Sequence, residues 1–91
     1  MKIKAYSVLD RTAGNYATPF FAPNDEVAKR NFRYSLKRLD DIFIADLVLY
    51  CVGDFDNEPG IFCNSGDHIV DSGVDVLSER ELEKKNREVI Q

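Results

Sequence analysis

The sequence is poor in the residues that build metal centres and disulfide frameworks. It has one histidine, His68, and two cysteines, Cys51 and Cys63, which form no CxxC pair. No disulfide framework is therefore expected, and reduced thiols in a cytosolic protein are the default interpretation. His68 with both cysteines and Asp67 matches no known zinc-ligand spacing, so no metal or cofactor is predicted.

Long apolar runs and glycine-rich phosphate loops are also lacking. The longest apolar run, Leu47 to Val52, has the length of a strand and is far short of the ~20 residues that cross a bilayer. The first residues carry no long apolar signal region. A calcium loop beginning at Asp54 is excluded because Pro59 stands at the position of its invariant glycine. No catalytic constellation is apparent, and we predict a protein that is not an enzyme.

What the sequence does contain is the pattern of one small α+β domain. Its 91 residues, 44% of them hydrophobic, are enough for a thin core. Alternating apolar residues at the start predict a strand with Ile3 and Ala5 on one face and Tyr6 and Val8 on the other. We expect an antiparallel sheet of three to five strands. The predicted strands cover residues 2–9, 16–21, 47–52, 61–63 and 68–70.

Two helices are predicted. Asn24 is a good N-cap for a helix over residues 25–39, which packs its apolar stripe on the sheet. Ser78 to Glu81 reads as a capping box, starting a charged helix that runs to about Gln91. The expected organisation is a core domain at 1–76 and a charged C-terminal helix or tail at 77–91. The predicted core includes Ile3, Phe20, Phe21, Phe32, Leu36, Val48 and Leu49.

Charge is distributed unevenly along the chain. Residues 1–38 hold eight basic and three acidic residues, a balance of +5, and the remainder holds four basic and thirteen acidic residues, a balance of −9. This layout suggests an anionic partner for one face. The overall charge of −4 argues against coating of DNA without sequence preference, which needs many phosphate contacts.

The basic half also carries tyrosines, and cations interleaved with rings are typical of single-strand binders. A solvated helix face and buried rings explain the same residues without a ligand, so both interpretations stay open. The binding hypothesis requires the cations and rings to share one open side of the molecule. Its candidate residues are Lys2, Lys4, Tyr6, Arg11, Tyr16, Lys29, Arg30, Arg33, Tyr34 and Lys37.

Three segments together resemble a viral family. They are the opening MKIKAYSVLD, the segment PFFAPNDEVAKRNF at residues 19–32, and LYCVGDFD at residues 49–56 followed by Gly60. Over about residues 1–71 they resemble the small nonstructural proteins, assigned as DNA-binding, of microviruses related to the gokushoviruses, which are phages with single-stranded DNA. The charged segment after residue 72 departs from the family's pattern.

The resemblance implies a phage nonstructural protein of the host cytoplasm. It would bind single-stranded DNA during genome synthesis or packaging, without catalysis. A homo-oligomer is expected because a partner could cover apolar surface that the thin core leaves open. The alternative is a module that engages a viral or host replication or capsid protein through its acidic half or its C-terminal helix. A further alternative is an acidic mimic of DNA built on Asp54, Asp56, Glu58, Asp67, Asp71 and Asp75.

Overall fold

The computed structural model describes residues 2–63 and 68–90, and the side chains of 2–63 and 68–86. Its α+β class and antiparallel sheet are as predicted. The turn predicted at 64–67 lies outside the described residues. The elements in chain order are β1 (Lys2–Asp10), β2 (Asn15–Tyr16), β3 (Phe20–Ala22), α1 (Asp25–Ser35), a 3-10 turn (Leu36–Arg38), α2 (Asp41–Ile44), β4 (Leu47–Asp56), β5 (Ile61–Cys63), β6 (His68–Ser72) and α3 (Gly73–Ile90).

Two long antiparallel strands, β1 and β4, form the centre of the sheet. Each outer edge is shared by two short strands: β2 and β3 pair with β1, and β5 and β6 pair with β4. The β4–β5 hairpin was predicted, with its turn near Asn57 closed by a hydrogen bond from the Gly60 amide to the Asp56 carbonyl. The strand β4 is longer than predicted, since it continues to Asp56.

The helices cover one face of the sheet and enclose the core there. Tyr6, Leu49 and Cys51 of the sheet are fully buried against Phe32 and Leu36. The predicted core positions Phe32, Leu36 and Leu49 are therefore confirmed. Val48 is also buried, although it alternates to the opposite face of the sheet. Phe20 is partly buried and packs against the core, whereas Ile3 is only half-buried on the opposite face, beside Phe55.

The first helix begins where the sequence predicts. The Asn24 side chain accepts a hydrogen bond from the Val27 amide at 2.9 Å, as an N-cap does. The α-helix ends at Ser35, and a 3-10 turn replaces the last part of the predicted span 25–39. Leu39, the last residue of the predicted apolar stripe, lies beyond that turn and is exposed.

The last helix begins six residues earlier than the capping box at Ser78 predicts. It starts at Gly73, and the Ser72 hydroxyl accepts a hydrogen bond from the Asp75 amide, so Ser72 takes the capping role that we assigned to Ser78. Gly73 allows the start of the helix to pass close to α2, because a Cβ there would lie 1.6 Å from the Ile44 carbonyl oxygen. The predicted boundary between 76 and 77 falls inside α3, where Val76 is buried in the core. No described helix is long and apolar enough to cross a membrane.

Candidate nucleic-acid interface and neighbouring surfaces

Tyr6 cannot stack on a base in this fold. Its ring is fully buried and lies 5.7 Å from the Phe20 ring, centroid to centroid. Its hydroxyl donates a hydrogen bond to Asp25 Oδ1 at 2.7 Å. Burial and that carboxylate raise the pKa of Tyr6 far above its usual value. Tyr6 cannot take the predicted DNA-binding role, because the even-numbered residues of β1, Tyr6 among them, point toward the helices.

Arg33 is held by carboxylates of the same chain. Its guanidinium donates two hydrogen bonds to Asp71, from Nε at 2.8 Å and from Nη2 at 3.3 Å, and it also contacts Glu79. The Asp71 side chain is only 2% exposed. The hydrogen bond that Glu79 accepts from Arg33 holds the pKa of Glu79 below its ordinary value. Arg33 therefore joins α1 to β6 and α3 and is not available to bind a phosphate of DNA. Asp71, which was a candidate for the acidic mimic of DNA, is likewise buried in this ion pair.

The candidates on β1 and its turns are dispersed. Lys2 and Lys4 stand opposite Asp56 and Asp54 on β4, so each has an acid as its cross-strand neighbour. Arg11 donates to the Ala45 carbonyl at 2.9 Å, beside α2.

Tyr16 lies on the opposite side of the sheet from α1. It pairs with Leu9, which alternates away from the helices, and its ring lies 5.9 Å from that of Tyr50. The ten candidate residues therefore do not form one surface.

Five of the candidates share a surface, an open groove of about 520 Å³ that we call the α1–α3 groove. Four of them, Lys29, Arg30, Tyr34 and Lys37, are available there, because Arg33 is held by Asp71 and Glu79. Tyr34 is 71% exposed, and the Lys37 ammonium lies 5.1 Å from the centre of its ring.

Acidic residues moderate the charge of the groove. Glu26, Glu79 and Glu83 also line it, together with Arg80 and the buried Val76. Glu79 is already engaged by Arg33. Among the described side chains, no carboxylate lies within ion-pairing distance of Lys29, Arg30 or Lys37. The groove thus keeps unpaired cations around an exposed ring.

The face of the sheet that turns away from the helices is a second surface, the open face. Strand registers place Phe21, Phe55 and Phe62 together there, with ring centroids 5.0–6.1 Å apart. Phe62 is 69% exposed and Phe21 is 47% exposed. The prediction that Phe21 belongs to the core is wrong, because its strand position alternates away from α1. Tyr16, Tyr50 and Ile69 extend this face toward the other end of the sheet.

A third grouping joins three donor side chains on the helical side. Asp25, Cys51 and His68 bring a carboxylate oxygen, a thiol and a ring nitrogen within 4.8 Å of one another. Asp25 Oδ2 lies 2.9 Å from His68 Nε2. Hydrogen bonds, first from Tyr6 and then from His68, lower the pKa of Asp25, and burial raises that of the Cys51 thiol.

Sequence reasoning missed Asp25 in this group. It considered His68 with Cys51, Cys63 and Asp67. Of these, Cys51 does lie in the group, but Cys63 pairs with Asp54 on the edge of the sheet, and Asp67 lies outside the described residues. Asp25 is 43 residues from His68 in sequence and was interpreted as a first-turn acid of α1. The pairing of β4 with β6 places His68 beside Cys51, and the packing of α1 on the sheet adds Asp25.

The architecture defines an α+β domain with an antiparallel sheet that helices cover on one face. Residues 3–76 match the family model described as "Phage ORF5 protein", and the chain belongs to this phage protein family. The match covers the three segments that carry the resemblance to a phage family. No curated protein and no solved structure matches the chain.

Proposed function

We propose that this phage protein is not an enzyme and binds single-stranded DNA in the α1–α3 groove during genome synthesis or packaging. The observation that carries the proposal is the exposed ring of Tyr34 between unpaired cations. Single-strand binders combine a basic groove, which follows the phosphates, with a ring on which a base stacks. The proposal rests on Lys29, Arg30, Tyr34 and Lys37 and no longer includes the other six candidates.

Binding in this groove is expected to be weak and sensitive to salt. Three cations that no described carboxylate pairs with contribute, and each phosphate contact to a single strand adds about 0.7 to the slope of log affinity against log salt. The negative net charge opposes the approach of DNA elsewhere on the surface. These properties suit a protein that acts at high local concentration along a single-stranded genome.

Fluorescence anisotropy with a labelled single-stranded oligonucleotide at low salt tests the proposal. Tyr34→Ala should weaken binding about tenfold, since base stacking on a ring contributes roughly 1–3 kcal/mol. Arg30→Gln with Lys37→Gln should weaken binding and lower the salt slope by about 1.4. Neutralising the opposite wall with Glu83→Gln should instead strengthen binding.

The matched control is Lys84→Gln with Lys85→Gln, which makes the same charge change at exposed positions of α3 outside the groove. Binding should then change by less than about twofold. An absence of binding by the wild-type protein at low salt contradicts the proposal. Equal weakening by the control and by the groove variants also contradicts the proposal, because binding would then depend on the net charge of the protein and not on the groove.

A second candidate function is protein interaction, and the open face favours it. Around the phenylalanine cluster, the described residues that the strand registers place on this face include no lysine, arginine, aspartate or glutamate. A DNA strand would find no cation there, whereas a second copy of the chain meets no like charge across a two-fold axis. We therefore assign the open face to a homodimer.

The exposed area is consistent with a weak dimer. The exposed parts of Phe21, Phe62, Tyr16 and Ile69 amount to roughly 400 Å² per copy, using about 150–250 Å² for a whole aromatic side chain. A standard interface buries about 800 Å² per partner, so the neighbouring strands must contribute as well.

Sedimentation equilibrium over about 1–500 µM protein tests this assignment. Phe62→Glu should give a monomer, while Ile61→Glu on the opposite side of the same strand should leave the dimer intact. A monomeric wild-type protein at the highest concentration would contradict the assignment.

A further inference from the structure

The most specific unexplained chemistry in the molecule is the convergence of Asp25, Cys51 and His68. Their donor atoms lie within 4.8 Å of one another, although the residues come from α1, β4 and β6. We propose that these three side chains bind a divalent metal ion of the zinc type. The site is independent of the DNA groove and of the open face.

The donor set suits zinc. Thiolate, imidazole and carboxylate are the three protein ligands that Zn²⁺ takes, at about 2.0–2.3 Å each. Tetrahedral coordination at those lengths separates the donors by roughly 3.2–3.7 Å. The 2.9 Å between Asp25 and His68 must therefore open slightly. Calcium and magnesium, which prefer oxygen ligands, are disfavoured by the sulfur and the ring nitrogen.

The surroundings resemble those of a ligand set. Tyr6 donates to Oδ1 of Asp25, so the other oxygen, Oδ2, is directed to His68. Such outer hydrogen bonds commonly orient ligating carboxylates. Lys4 also lies on the Oδ1 side, 3.8 Å away.

The charge of the three ligands and their access to solvent also fit a divalent metal ion. A thiolate and a carboxylate with a neutral imidazole balance the two charges of the ion, which matters because Cys51 is only 1% exposed. The His68 side chain is 48% exposed, so the ion can enter from that side and keep a water molecule as its fourth ligand.

Binding would fasten the start of α1 to both β4 and β6. These elements are already in contact, so the ion is expected to stabilise the fold and not to create it. Proton release from Cys51 should accompany binding, since the thiolate is the ligand.

Titration of the reduced, chelator-treated full chain with Co²⁺ tests the site. One equivalent should produce the near-ultraviolet thiolate-to-cobalt absorption and the visible bands of tetrahedral cobalt, and Zn²⁺ should displace them. Zn²⁺ at about 100 times its Kd should raise Tm by roughly 10 °C or more. Neither readout depends on DNA binding, so this proposal and the proposed function can fail separately.

The two cysteines provide the matched control. Cys51→Ser should abolish the thiolate band, and Cys63→Ser should leave it unchanged. His68→Ala, at an exposed position that should not perturb folding, should weaken Co²⁺ binding at least tenfold. A wild-type protein without the thiolate band overturns the proposal, as does a band that survives Cys51→Ser or an affinity unchanged by His68→Ala.

Discussion

Replacement of Arg33 by methionine should reveal how strongly the fold depends on one partly buried ion pair. The change removes the guanidinium and keeps an unbranched apolar side chain in its place. Asp71 would then lose both hydrogen bonds from Arg33, while the amide of Ser72 would still donate to it at 2.9 Å. The perturbation therefore leaves a carboxylate that is 2% exposed without its cation.

The magnitude follows from the burial of the two partners. Breaking a buried ion pair by removing one member costs about 3–5 kcal/mol, because the remaining charge is uncompensated. The Arg33 side chain is 28% exposed, so water already solvates part of the pair and the lower end, about 3 kcal/mol, is expected. A domain of this length has a free energy of unfolding of roughly 5–14 kcal/mol. The variant should still fold, with Tm lowered by about 12–24 °C.

Urea unfolding followed by circular dichroism measures the loss. Arg30→Met is the matched control: it removes the same group from the same helix at an exposed position without an ion pair, and should cost less than about 0.5 kcal/mol. Adding Asp71→Asn to the Arg33 variant should recover about 1–2 kcal/mol, because it removes the unpaired charge. A loss below about 1 kcal/mol for Arg33→Met would refute the reasoning, since it is the value of a surface ion pair.

Two further predictions concern the glycines Gly73 and Gly14 and the helix cap Asn24, and thermal unfolding measures both. Gly73→Ala should destabilise by about 3 kcal/mol or more, because its Cβ would lie 1.6 Å from the Ile44 carbonyl oxygen; Gly14→Ala, with open space but a φ of +73°, should cost only about 1 kcal/mol. A similar Tm for the two variants would contradict the steric argument. Asn24→Ala should cost about 1 kcal/mol by removing the cap of α1, and Asn24→Asp should restore most of it. An unchanged Tm in Asn24→Ala would show that the cap is dispensable.

Local patterns predicted the parts of the fold that depend on neighbours in sequence. The alternation of β1 correctly placed Ile3 and Ala5 on one face and Tyr6 on the other. The cap at Asn24 located the start of α1. These features are set by strand geometry and by the first turn of a helix, which a short window contains.

What the sequence did not predict depends on contacts between distant segments. Phe21 reads as a core residue, but whether a sheet face is covered depends on where the helices pack. The capping box at Ser78 is a valid local signal that was outweighed by Ser72, because the first turns of α3 must pack beside α2. The sequence pattern places Arg33 on a solvated basic face of the helix, and it cannot show that β6 positions Asp71 beside this residue.

The charge asymmetry of the chain has an explanation within the fold itself. Lys2 and Lys4 of the basic half stand opposite Asp56 and Asp54 of the acidic half. Arg33 is bound by two acids that also come from the second half of the chain. Opposite charges on paired strands favour the correct register, so part of the asymmetry serves pairing between the halves.

Cations that are not engaged in that pairing are the ones that bear on an anionic partner. Three of them lie together in the α1–α3 groove, where no described carboxylate pairs with Lys29, Arg30 or Lys37. A ligand must compete for these side chains only with water and salt, whereas at Arg33 it would have to displace a buried carboxylate. For this reason the DNA proposal depends on the outer face of α1 and does not involve the sheet.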